Sequence, residues 1–207
     1  MPERVQKGQG TMRAFTFENA TKIYFGGGCV KEHLLEAVKP YGETVMLAYG
    51  GGSIKMNGIY QEVMDVLKLA GKQVIEFSGI MPNPTYSKVM EGKKVVQENQ
   101  VDLILAVGGG SVMDCSKAIS MAAATDKDVW EEYWIKKGEI DFEPVPVGVI
   151  VTVVGTGSEV NGEGVITHEE QKIKTSRNYP RCNPVFAMMD PEIYLHGFST
   201  PDGSGRF

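Results

Sequence analysis

The apolar run from Leu103 to Val107 stops at three consecutive glycines, Gly108 to Gly110, and a segment of small and helix-forming residues follows from Ser111 to Ala124. An apolar run of this length bounded by glycine predicts a strand buried on both faces. A strand that must turn at once into a helix restricts the chain to α/β architectures. The same turn has a chemical use. The first N–H groups of a helix lack intrahelical acceptors and carry a partial positive charge. Glycine lets that backbone approach a phosphate with no Cβ in the way. A tight strand-to-helix turn needs glycine for its own sake, however, and Gly108–Ser111 matches neither G-x-G-x-x-G nor the G-x-x-x-x-G-K-[ST] loop.

The pattern recurs along the chain. Thr44 to Tyr49 is an apolar strand that ends at Gly50-Gly51-Gly52-Ser53, and Val145 to Val151 is another that ends at Thr152-Val-Val-Gly-Thr-Gly-Ser158. Further strands are predicted at Lys72–Phe77, at Val165-Ile-Thr, at Ile173-Lys-Thr and at Val185–Met189. Helices are predicted from about Val30 to Val38, over 57–70, where Ile59, Val63, Val66, Leu67 and Ala70 share a face, and from Tyr86 to Gln97, with helical signals continuing to about Lys136. Phe15-Thr-Phe-Glu and Thr21-Lys-Ile-Tyr-Phe read as a hairpin. Alternating strands and helices predict a parallel sheet flanked by helices, with ligands at the carboxyl ends of its strands. Three loops sit there: Gly50–Ser53, Gly108–Ser111 and Thr152–Ser158.

A net charge of −5, with no basic patch interleaved with aromatics, argues against a nucleic-acid partner. Cys29, Cys115 and Cys182 are far apart and odd in number, which fits reduced thiols in a cytoplasmic protein. Residues 1–11 lack the apolar core of a secretory signal and read as an unstructured extension, with Met12 as a second start. No apolar stretch reaches membrane-spanning length.

Several side chains in or near these loops admit two readings. Ser111 caps its helix or donates to a phosphate. Asp114 either favours the helix dipole or accepts from a ligand hydroxyl or amide. Thr152, Thr156 and Ser158 supply hydroxyls for a phosphate or a carboxamide, or Ser158 caps a helix. Lys174, alone in a polar alternating strand, reads as a solvated lysine. Gly50–Ser53 has no carboxylate to read an adenosine ribose, which permits a 2′-phosphate, with Lys55 as its nearest cation. His33, His168 and His196 show no metal-ligand spacing and read as surface or loop residues. Glu131-Glu132 reads as a solvated helix face, and no nucleophile–histidine–acid set stands out.

Phe15-Thr-Phe-Glu-Asn-Ala-Thr-Lys-Ile-Tyr-Phe-Gly, Tyr49-Gly-Gly-Gly-Ser-Ile-Lys-Met-Asn-Gly, Pro82-Asn-Pro-Thr, Gly108-Gly-Gly-Ser-Val-Met-Asp, Gly155-Thr-Gly-Ser-Glu and Asp190-Pro-Glu occur in that order. As an ordered set spanning 12–193 they resemble the iron-containing (group III) alcohol dehydrogenases, in particular the butanol dehydrogenase-like branch. The resemblance implies a Rossmann-like NAD(P)(H)-binding domain, as in the N-terminal domain of the dehydroquinate synthase-like fold, followed by an all-helical domain. In the family one Asp and three His of that second domain hold iron, or sometimes zinc, which polarises the substrate oxygen of an alcohol or aldehyde. By matching motif, Gly50, Gly51 and Ser53 would serve the adenosine end, with Asn83 also contacting the cofactor. Gly109, Gly110, Ser111 and Asp114 would serve the pyrophosphate. Thr152, Thr156 and Ser158 would serve the nicotinamide side, with Lys174 reaching the ribose. The resemblance also implies dimers formed through this domain, so a homodimer is compatible with it.

After Asp190-Pro-Glu the sequence leaves the family pattern. Residues 194–207 match no metal-bearing helix, and His196 and Asp202 do not sit in the ligand pattern. The expectation is a cofactor domain of either NAD or NADP type over 12–193. It would lack the helical metal domain, bind no iron or zinc, contribute no catalytic residue and be inactive in hydride transfer. Truncation, frameshift or a cloned fragment would each produce such a tail. The alternatives are a non-catalytic nucleotide-binding or subunit-interaction module, and a glycerol dehydrogenase-like relative of the same fold.

Overall fold

The computed structural model describes residues 19–195. The 1–11 extension, the Phe15–Glu18 half of the expected hairpin, His196 and Asp202 lie outside the described residues. Eight strands alternate with helices: β1 (Lys22–Phe25), α1 (Cys29–Val38), β2 (Thr44–Tyr49), α2 (Ser53–Met56), α3 (Ile59–Leu69), β3 (Gln73–Phe77), α4 (Tyr86–Glu98), β4 (Leu103–Gly108), α5 (Gly110–Ala123), β5 (Val147–Val151), β6 (Glu163–His168), β7 (Ile173–Asn178), β8 (Phe186–Met189) and α6 (Pro191–Leu195). Six strands form one sheet in the order β1-β8-β5-β4-β2-β3, and every pair in it is parallel. This is the Rossmann-like α/β layering expected from the sequence.

Side-chain alternation along the central strands sorts the core into two layers. Val45, Leu47 and Tyr49 of β2, with Leu103, Leu105 and Val107 of β4, face α1 and α3. Met46 and Ala48 of β2, with Ile104 and Ala106 of β4, face α4 and α5. Both faces are covered, so β4 is buried along its whole length. On α3, Ile59, Val63 and Leu67 are the buried residues, at the spacing of one helical face. Each such side chain stabilises the fold by roughly 1.5–3 kcal/mol.

The winding of the chain positions the site. From β2 the chain crosses one face through α3 and pairs outward with β3. From β4 it crosses the opposite face through α5 and returns to the other side with β5. The loops after β2 and β4 therefore leave neighbouring strands in opposite directions and open a crevice at their carboxyl ends. That is where open α/β sheets bind ligands.

β1 pairs in parallel with β8, in register Lys22 with Phe186, and the other arm of the expected hairpin lies outside the described residues. Other expectations need correction. Val165-Ile-Thr and Ile173-Lys-Thr do not join the main sheet. They form a separate antiparallel ribbon of β6 and β7, packed chiefly on α5 and α4. Their polar alternation is that of a strand with one wet face, whereas the central strands β2, β4 and β5 are apolar on both. The helical stretch after α5 is interrupted: α5 ends at Ala123, and a π-helical turn, Trp130–Ile135, follows separately. The short α2 within Ser53–Met56 had no sequence signal of its own.

Candidate functional site

A cleft of about 240 Å³ lies at the carboxyl end of the sheet. Its wall includes the first turn of α5 (Gly110, Ser111), Asp114 one turn on, and the loop after β5 (Thr156, Ser158, Asn161). The ribbon (Glu163, Val165, Lys174) and Asn83-Pro84 complete it. Seven residues singled out from sequence are thus brought together: Asn83, Gly110, Ser111, Asp114, Thr156, Ser158 and Lys174.

At the mouth of α5 the amides of Val112 and Met113 both donate back to the Gly109 carbonyl. The amides of Gly110 and Ser111 precede them and have no carbonyl within the helix to bond. The two glycines let the turn lie close against the loop after β5. A Cβ on Gly110 would stand 2.7 Å from Thr156 Cγ2, and one on Gly109 would stand 3.1 Å from Val153 Cβ. The turn after β4 and the loop after β5 therefore touch through glycine, and the Thr152 amide reinforces the contact by donating to the Gly108 carbonyl at 3.0 Å. Ser111 is the second residue of the helix, with Gly109 before its first turn and no side-chain cap, so Ser111 does not cap it.

Asp114 is the fifth residue of α5, past the first turn, and its role is not that of a dipole partner. Its Oδ1 accepts the Ser158 hydroxyl at 2.5 Å and its Oδ2 accepts the Val165 amide at 3.1 Å. Ser158 opens a short 3-10 turn, preceded by Gly157 in the left-handed conformation. Its hydroxyl is committed to Asp114 rather than to capping a helix. Lys174 is exposed, and its Nζ donates to Asn83 Oδ1, tying the ribbon to the loop before α4. A bridge between Thr85 and Thr167 fastens the same two segments.

Sequence reasoning passed over Lys117. It is only 2% exposed, and its Nζ reaches Ser158 O (3.0 Å), Ser158 Oγ (2.7 Å) and Asn161 O (3.0 Å). Burial pulls its pKa down to about 8, opposed by the nearby charge of Asp114. The available signal was a lysine three residues after Asp114 in a helix whose neighbours, Met113, Cys115, Ser116, Ala118 and Ile119, are all buried. A charge in that position requires partners.

Gly50, Gly51 and Ser53 stand outside this cleft, at the end of the neighbouring β2. A Cβ on Gly50 would meet the Ile80 carbonyl oxygen at 3.1 Å and Val112 Cγ2 at 3.8 Å, so this loop abuts the start of α5. Beside it, Glu76 accepts from the hydroxyls of Tyr49 (2.5 Å) and Tyr60 (2.8 Å), and these bonds hold its carboxyl below the usual range. Lys55 also engages Glu76, at 3.4 Å, so this cation has a partner already.

The other titratable residues give no centre for chemistry. Burial pushes the thiols of Cys115 and Cys182 up to about 12, which makes them poor nucleophiles. His168 is not a plain surface residue: it packs against the rings of Tyr86 and Trp130, at 5.1 and 4.9 Å, which also touch one another at 5.9 Å. His33 stacks on Tyr24 at 5.0 Å. Among the described residues no group of three or more His, Cys, Asp or Glu is arranged to hold a metal ion. The described residues do not fit an iron centre. No described helix is long and apolar enough to cross a membrane.

A six-stranded parallel sheet flanked by helices, with glycine turns and a polar cleft at the carboxyl ends of β4 and β5, defines a Rossmann-like α/β domain. The iron-containing alcohol dehydrogenase family model matches residues 20–191, and the chain belongs to that family. It is 44% identical over 190 residues to the Bacillus subtilis protein named probable NADH-dependent butanol dehydrogenase 1, covering 92% of this chain and 48% of that one. It is 38% identical to the Escherichia coli NADPH-dependent aldehyde reductase YqhD over 186 residues, 89% of this chain and 47% of that one. The crystal structure of NADH-dependent butanol dehydrogenase A from Thermotoga maritima superposes with a TM-score of 0.82 at 38% identity, covering 89% of this chain and 46% of that one. The chain spans about half the length of the relatives it matches.

Proposed function

We propose that this chain is the NAD(P)(H)-binding half of a butanol dehydrogenase-like alcohol or aldehyde oxidoreductase. The observation that carries the reading is the juxtaposition, in one cleft, of the uncapped α5 mouth with the Asp114–Ser158 acceptor pair. The two ends of a dinucleotide need these two chemistries. The amides of Gly110 and Ser111 suit diphosphate oxygens. Asp114 and Ser158 instead offer lone pairs, which suit a ribose hydroxyl or the carboxamide NH₂ of nicotinamide. A carboxylate facing a diphosphate would repel it. Asp114 is therefore assigned away from the pyrophosphate, with Thr156 and Ser158. Lys174 and Asn83 also line the cleft and would reach a ribose. Gly50, Gly51 and Ser53 would carry the adenosine end. Lys55 is held by Glu76, so a 2′-phosphate would have to compete for it, and NADH is the favoured form.

Bound nicotinamide would supply the hydride; the described residues supply its binding and orientation. Turnover of an alcohol or aldehyde by these 207 residues alone is expected to be absent. The test is titration of the purified chain with NADH and NADPH, read by nicotinamide fluorescence, followed by butanal-dependent NADH oxidation with ferrous or zinc ion added. Saturable NADH binding without turnover is the expected result. Failure of either nucleotide to bind refutes the cofactor assignment, and steady turnover refutes the assignment of half an enzyme.

A further inference from the structure

From the geometry around its buried ammonium we infer that Lys117 is a positioning residue: it locks the 156–161 loop onto α5 and fixes the direction of the Ser158 hydroxyl that the cleft presents to a bound dinucleotide. The inference rests on the cofactor reading above and extends it to a side chain that does not line the cleft.

Every group around Nζ is an acceptor. Ser158 and Asn161 each offer a carbonyl oxygen at 3.0 Å, and Ser158 Oγ and Asn161 Oδ1 add two more at 2.7 and 3.4 Å. Asp114 Oδ1 lies at 3.8 Å. An ammonium has three protons and no lone pair, so this shell suits the charged form. The consequence for Ser158 is directional. Its oxygen receives Lys117, so its own proton goes to Asp114. The relay runs one way, from Lys117 through Ser158 to Asp114. Asn161 is fixed similarly: Oδ1 faces Lys117 and the Glu163 amide, while Nδ2 donates to the Gly157 carbonyl at 2.9 Å.

Loss of the Lys117 proton would reverse the relay. A neutral amine carries a lone pair, and the Ser158 hydroxyl is the nearest group able to donate to it. Turning that proton toward Nζ takes it from Asp114, which then faces the cleft with an unneutralised oxygen. Burial makes this loss reachable by lowering the lysine to about 8; Asp114 on α5, Glu159 in the 3-10 turn, Glu163 on β6 and Cys182 on the segment before β8 act against that fall. Lys117 thus stays mostly charged at neutral pH and titrates in the mildly alkaline range.

The experiment measures NADH affinity of the 207-residue chain from pH 7 to 9.5, with circular dichroism confirming the fold at each point. NADH suits the purpose because its diphosphate charge is constant over that range. The parent is expected to lose at least fivefold in affinity as pH passes 8. Lys117→Met is expected to bind at least fivefold more weakly at pH 7 and with a flat profile. Glu159→Gln, outside the cleft, removes a charge that favours the ammonium, so its break should move to lower pH; this variant keeps the inference refutable should Lys117→Met not fold. Parallel profiles in the parent and Lys117→Met, or an unmoved break in Glu159→Gln, overturn the inference alone. A parent chain that does not bind NADH at pH 7 overturns the cofactor reading and the inference with it.

Discussion

Gly110→Ala separates binding from folding at a single carbon atom. The new Cβ would stand 2.7 Å from Thr156 Cγ2 and 3.0 Å from Thr156 Oγ1. Ordinary carbon contacts lie at about 3.5–4.0 Å, so roughly 1 Å must be recovered by moving something. Thr156 is β-branched and has few rotamers to give. Its Oγ1 also accepts the Ser158 amide at 3.3 Å, so a displaced Thr156 disturbs Ser158. The 152–158 loop, not the helix, is expected to yield, because exposed Val153 and Val154 pack less than the buried α5. On stability the terms nearly offset: overpacking costs about 1–3 kcal/mol, while alanine in place of a helical glycine returns about 1 kcal/mol. The net loss should be about 1 kcal/mol. NADH affinity should fall much further, about tenfold or more, because the amides of Gly110 and Ser111 and the Asp114–Ser158 pair lose their mutual placement. Urea unfolding gives the first quantity and fluorescence titration the second. A variant that keeps the parent's NADH affinity would refute the coupling of the two loops through glycine.

Gly148→Ala should act on stability alone, because its Cβ would stand within 2.7 Å of Phe186 Cε1 in the core, and a loss of about 1–3 kcal/mol in urea unfolding is expected. Lys174→Met should weaken NADH binding by about two- to fivefold and reduce its sensitivity to salt, as for an exposed cation facing a charged ligand. Stability should rise slightly from pH 7 to 8.5. The folded-state pKa of Lys117 lies below its ordinary 10.5, at about 8, so the cost of its buried charge is present at pH 7 and is relieved as pH climbs through 8. That relief is worth about 0.8 kcal/mol by pH 8.5. Cys115 and Cys182, raised from 9.0 to about 12, act the other way as the unfolded thiols ionise and remove about 0.3 kcal/mol together. Thermal melts at the two pH values check the sign, and a fall in stability would contradict it. Stability and NADH affinity should thus move in opposite directions over the same interval.

The sheet was legible because its strands announce themselves. β2, β4 and β5 are apolar on both faces, and each ends at glycine or threonine, so strand and boundary came from one pattern. The ribbon was harder. β6 and β7 are recognisable as strands, and their polar alternation excludes a central place in the main sheet but not an edge; packing on α5 and α4 decides for a separate ribbon. The cleft was legible through its backbone-driven members, Gly110 and Ser111, whose positions follow from the strand-to-helix turn. Ser158 and Asp114 were found as residues but not as a pair, since 44 positions separate them and only the fold brings them together. Lys117 escaped because a lysine is ordinarily assigned to water. Its sequence neighbours identify an interior helix, but the oxygens that hold it come from Ser158 and Asn161, across the cleft wall.

The strand order has a consequence for the sequence of assembly. Of the described strands β1 comes first in the chain, yet its place in the sheet is against β8, the last of them. β8 in turn must enter between β1 and β5. A ribosome-bound chain can close β2, β3, β4 and β5 into a sheet as they emerge, but β5 then waits with an unpaired edge until Phe186–Met189 appear. Strand pairing over such a separation is slow and leaves an edge open to other chains in the meantime. The vulnerable interval therefore lies between the synthesis of β5 and that of β8.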